Sequence, residues 1–380
     1  MTTAWMLLAP LWVPSLGYFE EEPKPLVHYA YTAVATAFFD ENGNQVGYES
    51  ISSVGSIGPV PDRFPSMGDT ISTETNIYII EGLLGNGTGS AVFRAISKKA
   101  GSQEVAIKFQ TYADDEKKFS VETDYEVLRR TARFGELFPK VHYLSGVGSM
   151  STSEGVMNLR YLVMELLGSS VWTLVKYFGR KLPMKTIASI GIQTVEILEK
   201  LHSLGMVHGD IHLENMLFTM TIPDEAGFVF SDRIVLGDYG KSSMFLDPVT
   251  REHVQEKYVE MKEGRNMLFL SPYELALGSS SRREDVYRLM ESLARMIDDR
   301  GYTSRFRPLQ NNREALLNAK RTIPLSEIFP EIHPLFADLF DYSRSLGFTQ
   351  TPDYASMRSK FEIILNDQGQ EYANKIILDL

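Results

Sequence analysis

The stretch Val207-His208-Gly209-Asp210-Ile211-His212-Leu213-Glu214-Asn215 constrains this chain most. It follows an amphipathic segment in which Ile187, Ile190, Val195, Leu198 and Leu201 recur at helical spacing, and Gly205 suits the C-terminus of that helix. A carboxylate on a loop just past a buried helix, with an amide five residues on, is the pairing a phosphotransferase needs. Asp210 can orient an attacking hydroxyl and accept its proton, while Asn215 offers an amide oxygen to a magnesium ion on nucleotide phosphates. Alone, H-x-D-x-x-x-x-N is only moderately specific, because a surface turn can carry the same residues. Its weight comes from motifs that precede and follow it in a fitting order.

Upstream, Leu84-Gly85-Asn86-Gly87-Thr88-Gly89-Ser90-Ala91-Val92 lies between the strand-like runs Asn76 to Ile80 and Val92 to Ile96. Glycines there let the backbone bend over phosphates and present its N–H groups without side-chain obstruction. Ser90 stands where the G-x-G-x-x-G-x-V pattern has its third glycine, so a plain glycine-rich hairpin explains the run equally well. The next run, Val105-Ala106-Ile107-Lys108, favours the nucleotide reading. A lysine closing an apolar strand is ordinarily an edge residue, yet here it would ion-pair with the α- and β-phosphates of ATP. Such a lysine needs a carboxylate to hold it. In the helical stretch Phe119 to Arg130, Glu122 is the first choice, and Asp124 and Glu126 are alternatives.

Tyr161-Leu162-Val163-Met164-Glu165-Leu166-Leu167-Gly168 reads as a buried strand running into a glycine. It would form a hinge between two lobes whose backbone, around Glu165 and Leu167, binds adenine, with Met164 limiting the space behind. A core strand and turn fit the same residues. Past the organising loop, Arg233-Ile234-Val235-Leu236 is a short strand ending in Gly237-Asp238-Tyr239-Gly240. Asp238 would be the principal magnesium ligand, and Tyr239 would keep the aromatic packing usual at that place.

The 380 residues, 43% hydrophobic and 23% charged, suffice for two lobes around a cleft. A net charge of −11 argues against general affinity for nucleic acid or anionic membrane. There is no cysteine, so neither a disulfide nor a thiolate metal site holds the fold, and the seven histidines show no paired metal-ligand spacing. Ala4 to Leu16 is mostly apolar, with Ser15 and Gly17 placed as at a signal-peptidase site. No Lys or Arg precedes this run, Pro10 and Pro14 break it, and it is too short to span a membrane. Docking on the domain is therefore preferred, with a cytoplasmic or nuclear location; cleavage after residue 17 would instead mean secretion. Val27 to Phe39 and Val46 to Ile51 read as strands flanking the turn Asp40-Glu41-Asn42-Gly43-Asn44, and Ser52 to Ser72 as a loop.

From Ile77 to Leu365 the chain resembles a protein kinase, and more narrowly the casein kinase 1 superfamily with its vaccinia-related branch. Met164-Glu165-Leu166-Leu167-Gly168-Ser169-Ser170 is similar to that group's hinge, and Gly179-Arg180-Lys181-Leu182-Pro183-Met184-Lys185-Thr186 to the start of its long C-lobe helix. Ser281-Arg282-Arg283-Glu284-Asp285-Val286 is similar to its S-R-R-x-D-L run, where Asp285 would brace the catalytic loop. Tyr342-Ser343-Arg344-Ser345-Leu346, Phe348, Pro352-Asp353-Tyr354, Arg358 and Phe361 follow its final helices. The resemblance implies an α+β, bilobal protein kinase-like fold, with a β-rich N-lobe over 73–167 and a mainly helical C-lobe over 168–366. Residues 1–72 would be an N-terminal extension and 367–380 a tail. It also implies ATP and Mg2+ as cofactors, Ala106 and Leu217 beside the nucleotide, and protein Ser/Thr hydroxyls as acceptors.

Three departures bear on activity. Gly209 stands where most kinases have Arg, so a phosphorylated activation segment would find no guanidinium in the loop. His212 replaces the lysine that Ser/Thr kinases place against the γ-phosphate, which supplies less positive charge and implies slower transfer. Phe269 falls where casein kinases have an arginine for primed substrates, so a preference for primed or acidic sites is not carried over. An active Ser/Thr kinase that does not depend on activation-loop phosphorylation is the favoured reading. A pseudokinase scaffold is the alternative. A small-molecule phosphotransferase is the third, because H-G-D-x-H-x-x-N is also spelled that way in aminoglycoside and choline kinase-like enzymes.

Overall fold

The computed structural model describes residues 34–39, 45–51, 64–87, 89–99, 103–112, 120–152, 155–220, 230–260 and 266–378. The apolar run 4–16, the turn 40–44 and Thr88 lie outside the described residues. Strands β1 (Val34–Phe39) and β2 (Gln45–Ile51) pair antiparallel from Val34 opposite Ile51 to Phe39 opposite Gln45. They belong to a unit of residues 1–58 and 222–229, whereas everything below belongs to a second unit, 59–221 with 230–380.

The second unit opens with an antiparallel sheet made of β3 (Thr70–Ser72), β4 (Ile77–Gly87), β5 (Ser90–Ser97), β6 (Glu104–Tyr112), β7 (Val141–Leu144), β8 (Gly148–Thr152) and β9 (Gly155–Glu165). Its order is β3-β4-β5-β6-β9-β7, with β8 also paired to β9. Alternation builds it: in β5, Ala91, Phe93, Ala95 and Ser97 are buried and their neighbours half-buried, the period-two pattern of a strand with one core face. Phe93 meets Phe109 edge to face at 5.7 Å. Between β6 and β7 runs α1 (Ser120–Thr131), which buries Val121, Asp124, Val127, Leu128 and Thr131 as one helical stripe.

The second lobe is helical. Its elements are α2 (Val171–Tyr177), α3 (Met184–Ser203), α4 (Pro272–Leu275), α5 (Arg282–Ile297), α6 (Asp299–Phe306), α7 (Arg313–Thr322), α8 (Leu325–Ile328), α9 (Pro334–Ser345) and α10 (Tyr354–Asp367). Helix α3 is buried on every side from Thr186 to Val195, so it is the axis of this lobe. Gly191 lets α10 lie directly on it, because a Cβ there would sit 2.8 Å from the Phe361 ring. The tail returns to the same helix: Thr186 Oγ1 donates to the Ile377 carbonyl at 2.7 Å, and the Ile377 N–H donates to Ser189 Oγ at 3.1 Å.

Two small ribbons fix the functional loops at the end of α3. Strand β10 (Met206–Val207) pairs with β13 (Ser243–Met244), and β11 (Met216–Phe218) with β12 (Ile234–Leu236). They hold the segments 208–215 and 237–242 side by side. The expected β-rich first lobe and helical second lobe are what the chain forms. No helix among the described residues is long and apolar enough to cross a membrane.

Candidate active site

Strand register sets the sheet side of the site. Gly85 pairs with Val92, Val92 with Lys108 and Lys108 with Leu162, one line across four strands, while Ala106 pairs with Met164. The β4–β5 hairpin closes tightly, with Asn86 opposite Ala91 and Gly87 opposite Ser90. Gly89 has φ +77, and a Cβ there would approach the Thr111 carbonyl to 3.2 Å. Ser90 begins β5 opposite Gln110.

Lys108 Nζ lies 2.8 Å from Asp124 Oδ2 and 2.8 Å from Asp238 Oδ1. Burial works against its charge, but the two carboxylates prevail and hold the ammonium protonated well above the ordinary lysine range. The partner expected first, Glu122, is not the one found: it pairs with Arg160. The reason is helical phase. Asp124 shares the stripe of Val121, Val127 and Leu128 and enters the interior, whereas Glu122 sits on the flank of α1. Glu126 faces outward to Arg129 and Arg130.

The loop 208–215 is braced from beneath. Both oxygens of the fully buried Asp285 accept backbone hydrogens, His208 N–H at 2.7 Å and Gly209 N–H at 2.9 Å. Asp285 Oδ2 also accepts from His202 Nε2 at 2.9 Å, and His202 Nδ1 shares a hydrogen bond with the Tyr354 hydroxyl at 2.6 Å. His208 is likewise fixed. Its Nε2 donates to the Gly237 carbonyl at 3.1 Å and its Nδ1 accepts from the Asp210 N–H at 3.3 Å, a neutral tautomer that burial favours by pushing its pKa down.

Asp210 presents Oδ2 to Lys241 Nζ at 2.8 Å and to His212 Nε2 at 3.7 Å. Burial alone would raise its pKa; the two basic groups outweigh it and hold the carboxyl well below its usual range. A group intended to accept a proton is thus ionised and half screened by a lysine. Asn215 Nδ2 donates to the Asp210 carbonyl at 2.9 Å, and its Oδ1 has no protein partner among the described residues. Across from it, Asp238 adopts a left-handed φ of +57 and uses Oδ1 for Lys108, leaving Oδ2 without a protein partner among the described residues. Tyr239 is buried against His208, ring centroids 4.8 Å apart, and against Phe138 at 6.4 Å.

Asn215 Oδ1 and Asp238 Oδ2 suit a hard cation that brings the rest of its ligands with it. Among the described residues no group of three or more His, Cys, Asp and Glu side chains could hold a metal alone. Magnesium usually keeps waters and binds through one or two protein oxygens plus substrate phosphates, so this donor set fits it. When bound, the ion neutralises phosphate charge.

Residues 78–260 match the protein kinase domain family. Over 300 residues the chain is 26% identical to casein kinase I homolog RAG8 of Kluyveromyces lactis, covering 77% of this chain and 52% of that protein. Casein kinase I homolog 1 of Schizosaccharomyces pombe is 25% identical, with 76% and 61% covered, and casein kinase I homolog 1 of Saccharomyces cerevisiae 27%, with 77% and 51%. The chain carries a casein kinase 1-like protein kinase domain. It spans about half to three-fifths of the length of these relatives.

In this kinase domain the hinge follows Met164. The Glu165 N–H is used by the Lys140 carbonyl at 2.8 Å and the Gly168 N–H by the Phe218 carbonyl at 2.8 Å. Among the described residues the Leu167 N–H and carbonyl between them have no partner, which leaves them to an adenine edge. Leu217, in β11, lies against Gly237 closely enough that a Cβ on the glycine would meet its Cδ1 at 2.7 Å.

The kinase activation segment ends in a built structure. Ser271 caps α4 with Glu274 in a reciprocal box, and Ser271 Oγ also donates to Glu284 at 2.7 Å. Arg288 ties Glu274, Glu284 and the Phe269 carbonyl together. Phe269 itself is partly exposed beneath the Arg295 guanidinium. Lys241 was not among the residues expected from sequence. Only its position directly after Asp238-Tyr239-Gly240 hinted at it.

Proposed function

We propose that this domain is an active serine/threonine protein kinase that transfers the γ-phosphate of ATP, with Mg2+, to hydroxyls of protein substrates. The bonding of Asn215 to Asp210 and of Lys108 to Asp238, with the Gly237 N–H on the Asn215 carbonyl at 2.9 Å tying the two segments together, carries the reading. The acceptor oxygen bonds to the γ-phosphorus as the bond to the β–γ bridging oxygen breaks. ADP leaves with that oxygen, and the hydroxyl proton passes to Asp210. Lys108, held between Asp124 and Asp238, is positioned for the α- and β-phosphates, and the glycine hairpin for the phosphate oxygens.

The reading includes independence from activation-segment phosphorylation. Gly209 offers no guanidinium to a phosphate, and protein groups already order the end of the segment: the Ser271–Glu274 box, Arg288, and the Val259 N–H on the Leu277 carbonyl at 2.8 Å. Ser90, Gly209 and His212 support the pseudokinase alternative.

The deciding assay is purified protein with magnesium and γ-labelled ATP, with casein or a basic protein as acceptor, beside Asp210→Asn. Label on serine or threonine that disappears in the variant is the expected result. Nucleotide binding without transfer to any protein would establish the pseudokinase reading, and transfer confined to small alcohols the small-molecule one.

A further inference from the structure

The γ-phosphate needs a cation close to the attacking oxygen, and the loop carries His212 where the kinase pattern has a lysine. Lys108 is committed on the other side of the nucleotide site to Asp124 and Asp238. Among the described residues the ammonium at the base is that of Lys241, 2.8 Å from Asp210 Oδ2 on a side chain 63% exposed. We propose that Lys241 is a catalytic residue: its ammonium binds the γ-phosphate of ATP and stabilises the charge that develops there, doing from the activation segment what a catalytic-loop lysine would do at position 212. The proposal rests on the kinase reading above and names a further member of that same site.

The backbone explains how a lysine on another segment reaches the base. Pairing of β10 with β13 lays 241–244 antiparallel to the start of the loop, and Ser242 Oγ donates to the His208 carbonyl at 3.1 Å. Gly209 is the contact point. It has φ +77, and a Cβ there would lie 2.8 Å from the Lys241 carbonyl oxygen, closer than packed atoms allow. A side chain at 209 would push residue 241 away from Asp210. Gly209, His212 and Lys241 therefore form one arrangement: the glycine that forgoes a loop guanidinium makes room for the segment whose lysine covers for the histidine.

Two measurements test this on the full chain. ATP and ADP dissociation constants are compared for the native protein, Lys241→Met and Lys241→Arg, because their ratio reads the γ-phosphate contact whether or not transfer occurs. Lys241→Met is expected to weaken ATP about tenfold more than ADP, the effect of one lost charge-assisted hydrogen bond, and Lys241→Arg to keep most of the preference. In kinetics, Lys241→Met should lower kcat about a hundredfold or more with an unchanged melting temperature, and His212→Lys added to it should restore at least about a tenth of the native rate. An unchanged ATP-to-ADP preference in Lys241→Met overturns the inference. So does a loss of kcat that His212→Lys leaves unrepaired. If the native protein transfers nothing while Lys241→Met still loses the ATP preference, the activity reading fails and the phosphate contact stands.

Discussion

The Lys108 ammonium and the Asp124 carboxylate lie 2.8 Å apart with both side chains almost wholly buried, while Glu122, two residues away on the same helix, is spent on Arg160. A buried charge left without its partner is expensive, and a misplaced lysine disorders the phosphates it must position. Asp124→Asn should therefore reduce kcat/KM about a hundredfold and destabilise the domain by about 3 kcal/mol. Glu122→Gln should change stability by less than about 1 kcal/mol, as for other partly exposed pairs, and leave turnover near native. Kinetics and urea melts of the two variants check this, and equal effects would contradict the assignment.

That pair also marks where sequence reasoning stopped. The helix stripe was legible: Ile187, Ile190, Val195, Leu198 and Leu201, picked out by spacing alone, are all buried along α3. The order of glycine hairpin, lysine strand, hinge, loop and Asp-Tyr-Gly made the chain resemble a protein kinase, and that resemblance implied the two-lobed fold. Helical phase singles out Asp124 and not Glu122, because Val121, Val127 and Leu128 mark position 124 as inward. Lys241 was illegible for a different reason. Its contact with Asp210 depends on a left-handed Asp238, a left-handed Gly209 and the pairing of β10 with β13, none of which a local pattern states.

Tyr239 keeps the aromatic packing expected of it but carries a buried hydroxyl that finds no hydrogen-bond partner among the described residues. A buried unsatisfied hydroxyl is a liability of about 1–3 kcal/mol. Tyr239→Phe is expected to raise unfolding stability by about 1 kcal/mol, with the ring contacts to His208 and Phe138 retained. Urea denaturation measures it; a loss of stability would mean that the hydroxyl is satisfied in solution.

Lys320 is completely buried, with Nζ on the Leu270 carbonyl at 2.6 Å and on Glu291 Oε1 at 2.7 Å. It ties α7 to α5 and to the backbone at the end of the activation segment. Lys320→Ala leaves Glu291 unpaired in the core and should cost about 3–5 kcal/mol. Combining Lys320→Met with Glu291→Gln removes both charges and keeps an acceptor for the Tyr302 hydroxyl, which donates to Glu291 at 3.2 Å. The double variant should recover most of the loss in thermal unfolding. If it is no better than Lys320→Ala, the backbone bond to Leu270 is the stronger part of the interaction.

Glu284 gives the domain an unusual pH response. Burial first, and the nearby Glu274 carboxylate second, push it up to about 7 from an ordinary 4.5, against the opposing pull of Arg288 and the Ser271 hydroxyl. A carboxyl whose pKa rises on folding binds its proton more tightly in the native state, so its contribution to stability is present below the unfolded value. That contribution is lost as pH climbs from about 4.5 to about 7, and is constant above. Glu284→Gln removes the titration while keeping an oxygen for Ser271. The native protein should therefore lose stability relative to Glu284→Gln by on the order of a few kcal/mol across that window, with no further divergence at about pH 8. Urea midpoints of both proteins through the window read the difference directly. A gap that stays constant, or that widens in the native protein's favour as pH rises, would show that Arg288 holds Glu284 ionised throughout.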